Sequence, residues 1–251
     1  MKFGIIGNPV SHSLSPMLFK AAYPSPADTY DLIEALDFED SLRRFKTERY
    51  DGINITAPYK ELITKIGARA EEEVLSIGAA NTMVYKKKEL ILFNTDISGV
   101  WESLCGFIAE GSEAVVLGYG GAGKAAAYIL SKKSIKVKVV NRSPGKSRGF
   151  DWEKLIEFHG PESLNKILKI SGTIVNTLPV LPEFLKEADF SGKVILDANY
   201  TGENLSFTRS QPGVRYLPGT LWLLNQAIAS YSIFTGREPD RDSMRLFTDN
   251  L

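Results

Sequence analysis

Two short stretches of the chain offer groups that can move a proton. One is NITAPYK, ending in Lys60, and the other is NTD, ending in Asp96. Pro58 suits the first turn of a helix, so Lys60 is expected early in one. A cation there opposes the helix macrodipole, and the same field favours release of a proton. Asp96 follows a hairpin-like stretch, where a carboxylate placed beside a lysine would orient it. Both residues also fit plainer roles: a solvated lysine balanced by Glu61, and an aspartate that caps a turn or helix.

Two further stretches point to binding. GNPVSHSLSP (residues 7–16) follows a short apolar run and sets three serines alternately with His12 and Leu14. Gly-Asn-Pro is ordinary turn chemistry, but the serines form a row of hydroxyls able to hold a polar ligand. Farther on, Gly118, Gly120 and Gly123 fit G-x-G-x-x-G, after the apolar run EAVVL and before the Ala-rich run AAAYIL. In that strand-to-helix setting, glycines let a pyrophosphate approach the backbone N–H groups and the positive end of the helix. A cofactor with a free ribose 2′-hydroxyl usually meets Asp or Glu about 20 residues later. Asn141, Arg142 and Ser143 stand there instead, followed by Lys146. A guanidinium fork suits a 2′-phosphate, which favours NADP over NAD, although an arginine after a strand is also a common surface residue.

The elements that must position these residues fall into two sets. Strands are expected at 2–6, 29–35 and 51–55, helices at 16–22 and 38–45, and another helix opening at 59–66; KKKE joins a hairpin of 82–85 and 90–93. A second unit begins near Gly99, with strands at 113–117, 137–140, 173–176 and 193–197, in the rhythm of a doubly wound nucleotide-binding fold. An apolar helix at 220–234 closes the pattern. Trp101, Leu104 and Ile108 fit one buried helical face, Cys105 reads as a buried apolar residue, and His159 reads as exposed.

Composition removes several function classes. Thirty Lys and Arg balance thirty Asp and Glu, so nothing argues for a nucleic-acid or anionic-membrane partner. No apolar stretch approaches the roughly 20 residues of a spanning helix, and the N-terminus lacks the apolar core of a signal peptide. A cytoplasmic protein is expected. One cysteine and two histidines argue against an internal disulfide framework and a His/Cys zinc site, so no metal is expected.

Taken together, these stretches resemble the shikimate dehydrogenase family, in order along nearly the whole chain. GNPVSHSLSP, NITAPYK, GAANT (78–82) and NTD are similar to its substrate motifs. GYGGAGKAA and NRSPGK are similar to its cofactor loop and phosphate segment, and DANY (197–200) and GTLWLLNQA (219–227) to its last two signatures. The resemblance implies an α/β fold of two domains: an N-terminal α/β substrate-binding domain with a mostly parallel sheet (1–98 plus 221–251), and a Rossmann-type doubly wound NADP-binding domain (99–220), with a cleft between them. It implies NADPH-dependent, reversible reduction of 3-dehydroshikimate to shikimate. Lys60 and Asp96 would be the catalytic pair. Ser13 and Ser15 would bind the substrate carboxylate, and Thr56, Asn81, Tyr200 and Gln226 would complete the pocket with that pair.

For NADP(H), Gly118, Tyr119, Gly120, Gly121 and Ala122 would hold the pyrophosphate; Asn141, Arg142, Ser143 and Lys146 would surround the adenosine phosphate; Ala198 and Gly219 would lie near the nicotinamide. His12 would pack within its loop rather than transfer protons. The chain departs from the family pattern at Ile97-Ser98-Gly99, where Gly usually follows NTD, at Asn-Thr-Leu-Pro (176–179), and at Trp222, where a methionine is usual. A quinate-acting paralogue and a non-catalytic NADP-binding sensor are the competing readings. Partners would be the small-molecule substrate, with no nucleic acid and no membrane, for a monomer or homodimer.

Overall fold

The computed structural model describes residues 1–24, 27–143, 149–202 and 204–250. It divides into two units, Met1–Thr95 with Leu224–Leu251, and Asp96–Leu223.

The first unit contains β1 (Lys2–Ile6), α1 (Ser15–Ala22), β2 (Thr29–Ile33), α2 (Phe38–Thr47), β3 (Gly52–Ile55), β4 (Arg69–Ala70), α3 (Glu72–Ile77), β5 (Thr82–Lys86) and β6 (Glu89–Phe93). Its strands form one mixed sheet in the order β2-β1-β3-β5-β6-β4. β1 pairs in parallel with β2 and β3, while β5 runs antiparallel to both β3 and β6. Ile6, Ile33, Ile53, Ile55, Met83 and Leu92 belong to one buried cluster. On aromatic residues, Phe3 stacks on Phe234 and Phe19 meets Tyr231 edge-on, which seats the C-terminal part of a long helix on this sheet.

The hairpin expected around KKKE is present. Its tip residues Lys87 and Lys88 both have positive φ, at 50° and 67°, the backbone of a type I′ turn, which Asn-Gly occupies with least strain. Replacing Lys87-Lys88 with Asn-Gly is therefore expected to stabilise the protein by about 1 kcal/mol. A rise in thermal midpoint of about 2–4 °C is the expected reading in calorimetry; an unchanged or lower midpoint contradicts it.

The second unit contains α4 (Asp96–Leu104), β7 (Glu113–Leu117), α5 (Gly121–Lys132), β8 (Lys136–Val140), β9 (Ile156–His159), α6 (Leu164–Leu168), β10 (Thr173–Asn176), α7 (Glu183–Lys186), β11 (Val194–Asp197) and β12 (Arg215–Leu217). Its sheet is parallel throughout, in the order β12-β11-β10-β7-β8-β9. Counted within the unit this is 6-5-4-1-2-3, the doubly wound Rossmann arrangement, with its topological switch between β7 and β10. Val115, Leu117, Ile174 and Ile195 are buried in its core, as expected for central strands covered on both faces. The unit boundary falls inside α8 (Gly219–Thr235); α9 (Arg241–Asp249) ends the described chain and packs on α1.

Five expectations need correction. No α-helix opens at Tyr59: residues 57–61 form a turn, and only a 3₁₀ turn, Leu62–Lys65, follows. The backbone there is committed to other segments, since the Ala57 carbonyl accepts from Asn8 N–H and the Lys60 carbonyl from Ala80 N–H. Lys60 therefore does not lie in the first turn of an α-helix. Cys105 is exposed, because α4 ends one residue earlier and its buried face is Val100, Ser103 and Leu104. Trp101 is only half-buried, with the Lys133 ammonium over its ring, and Ile108 lies beyond the helix. His12 is exposed rather than packed into its loop, and His159 is half-buried at the end of β9.

Candidate active site

In the first unit, three loops converge at one end of the sheet. Ile6 pairs with Ile55, so the carboxyl ends of β1 and β3 are neighbours. Asn54 pairs with Thr82 in the antiparallel β3–β5 ladder, which brings the amino end of β5 to the same place. The serine loop after β1, the TAPYK turn after β3 and the GAAN segment before β5 therefore meet. Backbone bonds lock them: Asn8 N–H to the Ala57 carbonyl at 3.1 Å, Thr56 N–H to Ile6 at 2.9 Å, and Ala80 N–H to Lys60 at 2.8 Å.

Each loop contributes polar side chains. The Ser13 hydroxyl donates to Ser15 Oγ at 3.1 Å and accepts from the Ser15 N–H at 3.3 Å. Ser15 is the first residue of α1, and its carbonyl is held by the Tyr231 hydroxyl at 2.9 Å. Two hydroxyls at a helix N-terminus suit an anion such as a carboxylate. Asn81 donates to Gln226 Oε1 at 3.2 Å, while its own Oδ1 accepts from the Thr95 N–H at 2.7 Å and the Thr82 hydroxyl at 3.1 Å. Thr56 and Lys60 are half-buried.

Beneath this layer lies a residue missing from the expected set. Asn54 is buried in β3; its amide donates to the Asn81 carbonyl, the Thr82 hydroxyl and, at 2.7 Å, the Ser230 hydroxyl, and it accepts from Tyr30. This network ties α8 to the sheet and fixes Asn81 from below. The sequence signal was a polar residue inside the otherwise apolar strand GINI.

In the second unit, the glycine loop leaves β7 at the switch point. Gly118 has φ +91°, and a methyl at Gly123 would run into the Gly118 carbonyl. The first glycine thus makes the turn, and the third lets α5 approach the strand. A side chain at Gly120 would meet nothing within 4 Å among the described residues, so this side of the loop is open to a ligand. Gly121 and Ala122 begin α5, whose unpaired N–H groups suit a pyrophosphate. Such a loop fits a dinucleotide.

The Tyr119 side chain turns inward. Its hydroxyl donates to Glu153 Oε1 at 2.7 Å and its ring meets Phe158 edge-on. The buried Glu153 also accepts from the Gly149 and Phe150 N–H groups, at 2.9 and 3.1 Å. The carboxylate thereby joins the glycine loop to the far end of the segment that starts with Arg142. Asn141 and Arg142 follow β8 and, with Pro161, Leu178 and Val180, line a cavity of about 560 Å³. Arg142 and Ser143 are exposed and half-buried, respectively; Lys146 lies outside the described residues.

At the carboxyl end of β11, the Asp197 carboxylate accepts from the Leu205 and Asn199 N–H groups, the Asn176 amide and the Tyr216 hydroxyl. Burial pushes its carboxyl above the ordinary aspartate range, partly offset by these hydrogen bonds. These bonds hold the backbone at Asn199 and at Leu205, beside Ala198 and the half-buried Tyr200. Ala198 N–H is held by the Asn176 carbonyl, and Gly219 lies against the Asn199 and Tyr200 backbone. Asp96 is buried at the start of α4, and the Trp222 indole N–H donates to its Oδ1 at 3.2 Å. Lys60 and Asp96 thus belong to different units, and Asp96 is joined by a peptide bond to Thr95 of the Asn81 network.

A doubly wound parallel sheet with a glycine loop at its switch point, joined to a mixed α/β unit bearing a polar cluster, defines a two-unit α/β protein of the dinucleotide-binding class. Residues 5–83 match the shikimate dehydrogenase substrate binding domain. The shikimate dehydrogenase (NADP(+)) of Pyrococcus abyssi is 30% identical, over 97% of this chain and 95% of its own. The crystal structure of shikimate dehydrogenase from Aquifex aeolicus superposes with a TM-score of 0.84 at 29% identity, covering 98% of this chain and 96% of that one. The Thermus thermophilus enzyme, solved in complex with NADP(H) and shikimate, gives 0.83 at 28% identity, covering 100% and 99%. The chain belongs to the shikimate dehydrogenase family.

Proposed function

We propose that the chain is an NADP-dependent shikimate dehydrogenase, catalysing the reversible reduction of 3-dehydroshikimate to shikimate in aromatic amino acid and chorismate biosynthesis. The observation that carries this reading is the likeness to a shikimate dehydrogenase (NADP(+)) over nearly the full length of both chains. In this reading the enzyme is cytoplasmic and acts as a monomer or homodimer.

The residues divide the work. Ser13 and Ser15 hold the substrate carboxylate, and Thr56, Asn81, Tyr200 and Gln226 bind its ring hydroxyls. The cofactor, when bound, supplies the hydride for the carbonyl. Lys60 gives the proton to the developing alkoxide, or takes it back in the oxidative direction, and Asp96 orients the ammonium. The glycine loop, from Gly118 to Ala122, holds the pyrophosphate. Asn141, Arg142, Ser143 and Lys146 hold the adenosine phosphate, and Ala198 and Gly219 border the nicotinamide. Support for the cofactor roles is the open side of Gly120 and the Arg142-lined cavity at the end of β8.

The direct test follows reduction of NADP⁺ and NAD⁺ in parallel, with shikimate and with quinate. Turnover is expected to be fastest with shikimate and NADP⁺. Failure of the folded protein to oxidise shikimate overturns the reading, and faster turnover of quinate replaces the substrate.

A further inference from the structure

We infer that Trp222 is a positioning residue for the Asp96 carboxylate, acting through the indole N–H rather than through contact with the cofactor. The inference rests on the reading of Asp96 as half of the catalytic pair.

Asp96 is the first residue of α4 and Trp222 lies in the first turn of α8. The two side chains come from positions 126 residues apart, and each residue is only 4% exposed. An indole N–H is a donor only, so the 3.2 Å contact to Oδ1 has one possible sense. It fixes rotation of the carboxylate without neutralising its charge, as an arginine or lysine at 222 would. A carboxylate that must orient an ammonium keeps its full charge for that task. The indole is also a rigid anchor: it has two side-chain torsions, and burial removes their freedom. Hydrogen bonds to an ionised group in a site sheltered from water are stronger than those between neutral groups. Holding a catalytic group in its productive orientation lowers the barrier directly. A methionine at 222, the residue expected from the family pattern, has no N–H to give.

A different role for Trp222, as an apolar wall for the nicotinamide, makes opposite predictions. Trp222→Phe keeps a buried aromatic ring and deletes the donor. If the indole positions Asp96, kcat for shikimate oxidation falls about tenfold, the value of one hydrogen bond to a charged group. The Kd for NADP⁺, measured by fluorescence titration, changes less than twofold. Trp222→Met supplies a second donor-free side chain, and thermal unfolding confirms that each variant is folded.

The deciding measurement is a double-mutant cycle with Asp96→Ala. Once the carboxylate is gone, Trp222→Phe is expected to change kcat by less than twofold. The same tenfold loss in both backgrounds overturns the inference, as does native kcat in Trp222→Met or a weakened NADP⁺ affinity with kcat intact. Near-native turnover by Asp96→Ala overturns the catalytic reading of Asp96 itself, and with it this inference. That result is distinct from an inactive Asp96→Ala beside a native-like Trp222→Phe, in which Trp222 alone fails.

Discussion

Replacing Lys60 with alanine is expected to lower kcat about a thousandfold, within the range usual for loss of a general acid or base, while NADP⁺ binding stays within about twofold. The reduction places negative charge on the substrate oxygen as the hydride arrives. A donor fixed beside that oxygen stabilises the charge and completes the alcohol, and no methyl group can replace it. The substitution is expected to leave the fold alone, because the Lys60 backbone carbonyl, held by Ala80 N–H at 2.8 Å, ties this turn to the GAAN segment and is kept in alanine. The cofactor loop belongs to the other unit, which is why its affinity is the control. Lys60→Arg separates two roles that alanine merges. A guanidinium retains the charge but does not give up a proton near neutral pH. Recovery of most activity in Lys60→Arg means that the charge alone is needed; a loss matching Lys60→Ala means that the proton is. Near-native kcat in Lys60→Ala removes the residue from the mechanism.

Arg142→Ala is expected to raise the Kd for NADP⁺ about ten- to a hundredfold, the equivalent of losing charge-assisted hydrogen bonds to a phosphate. NAD⁺ lacks only the 2′-phosphate, so its affinity should change less than twofold. Arg142 stands at the end of β8, where an NAD-binding chain usually presents a carboxylate, and its neighbour Asn141 is pinned through its N–H to the His159 carbonyl at 3.0 Å. Truncating the arginine therefore leaves the strand end in place. Equal weakening of both cofactors would show that Arg142 does not read the phosphate. The side chain is exposed, so the preference for NADP⁺ should narrow as salt is added.

The candidate site residues stood out in the sequence because their types are unusual for their settings. Gly118, Gly120 and Gly123 sit between an apolar strand and an Ala-rich helix, and their separate tasks follow from the turn, the open side and the close packing seen in the fold. The Arg142 position could be read because the strand that precedes it is buried and ends cleanly. Local signals misled where backbone partners come from far along the chain. Pro58 is a good helix starter, yet the Lys60 carbonyl is taken by Ala80, so the expected helix never forms. Cys105 follows an apolar periodic stretch, but α4 stops at Leu104 and leaves it outside. β9 and β12 have four and three residues, too few for a period of two to stand out.

By itself, the sequence determined the two α/β units, the order of the site motifs and the kind of dinucleotide that the second unit suits. These depend on local periodicity and on side-chain chemistry that neighbours do not alter. Only the tertiary structure decided that Asn54 lies under Asn81 and Ser230, that Glu153 receives Tyr119, and that Trp222 holds Asp96. Each of those pairs closes a long loop and buries a polar group, and a buried donor or acceptor must find its partner wherever the folded chain supplies one. The separation along the chain leaves no local trace of the pairing, so it appears only when the sheets are assembled.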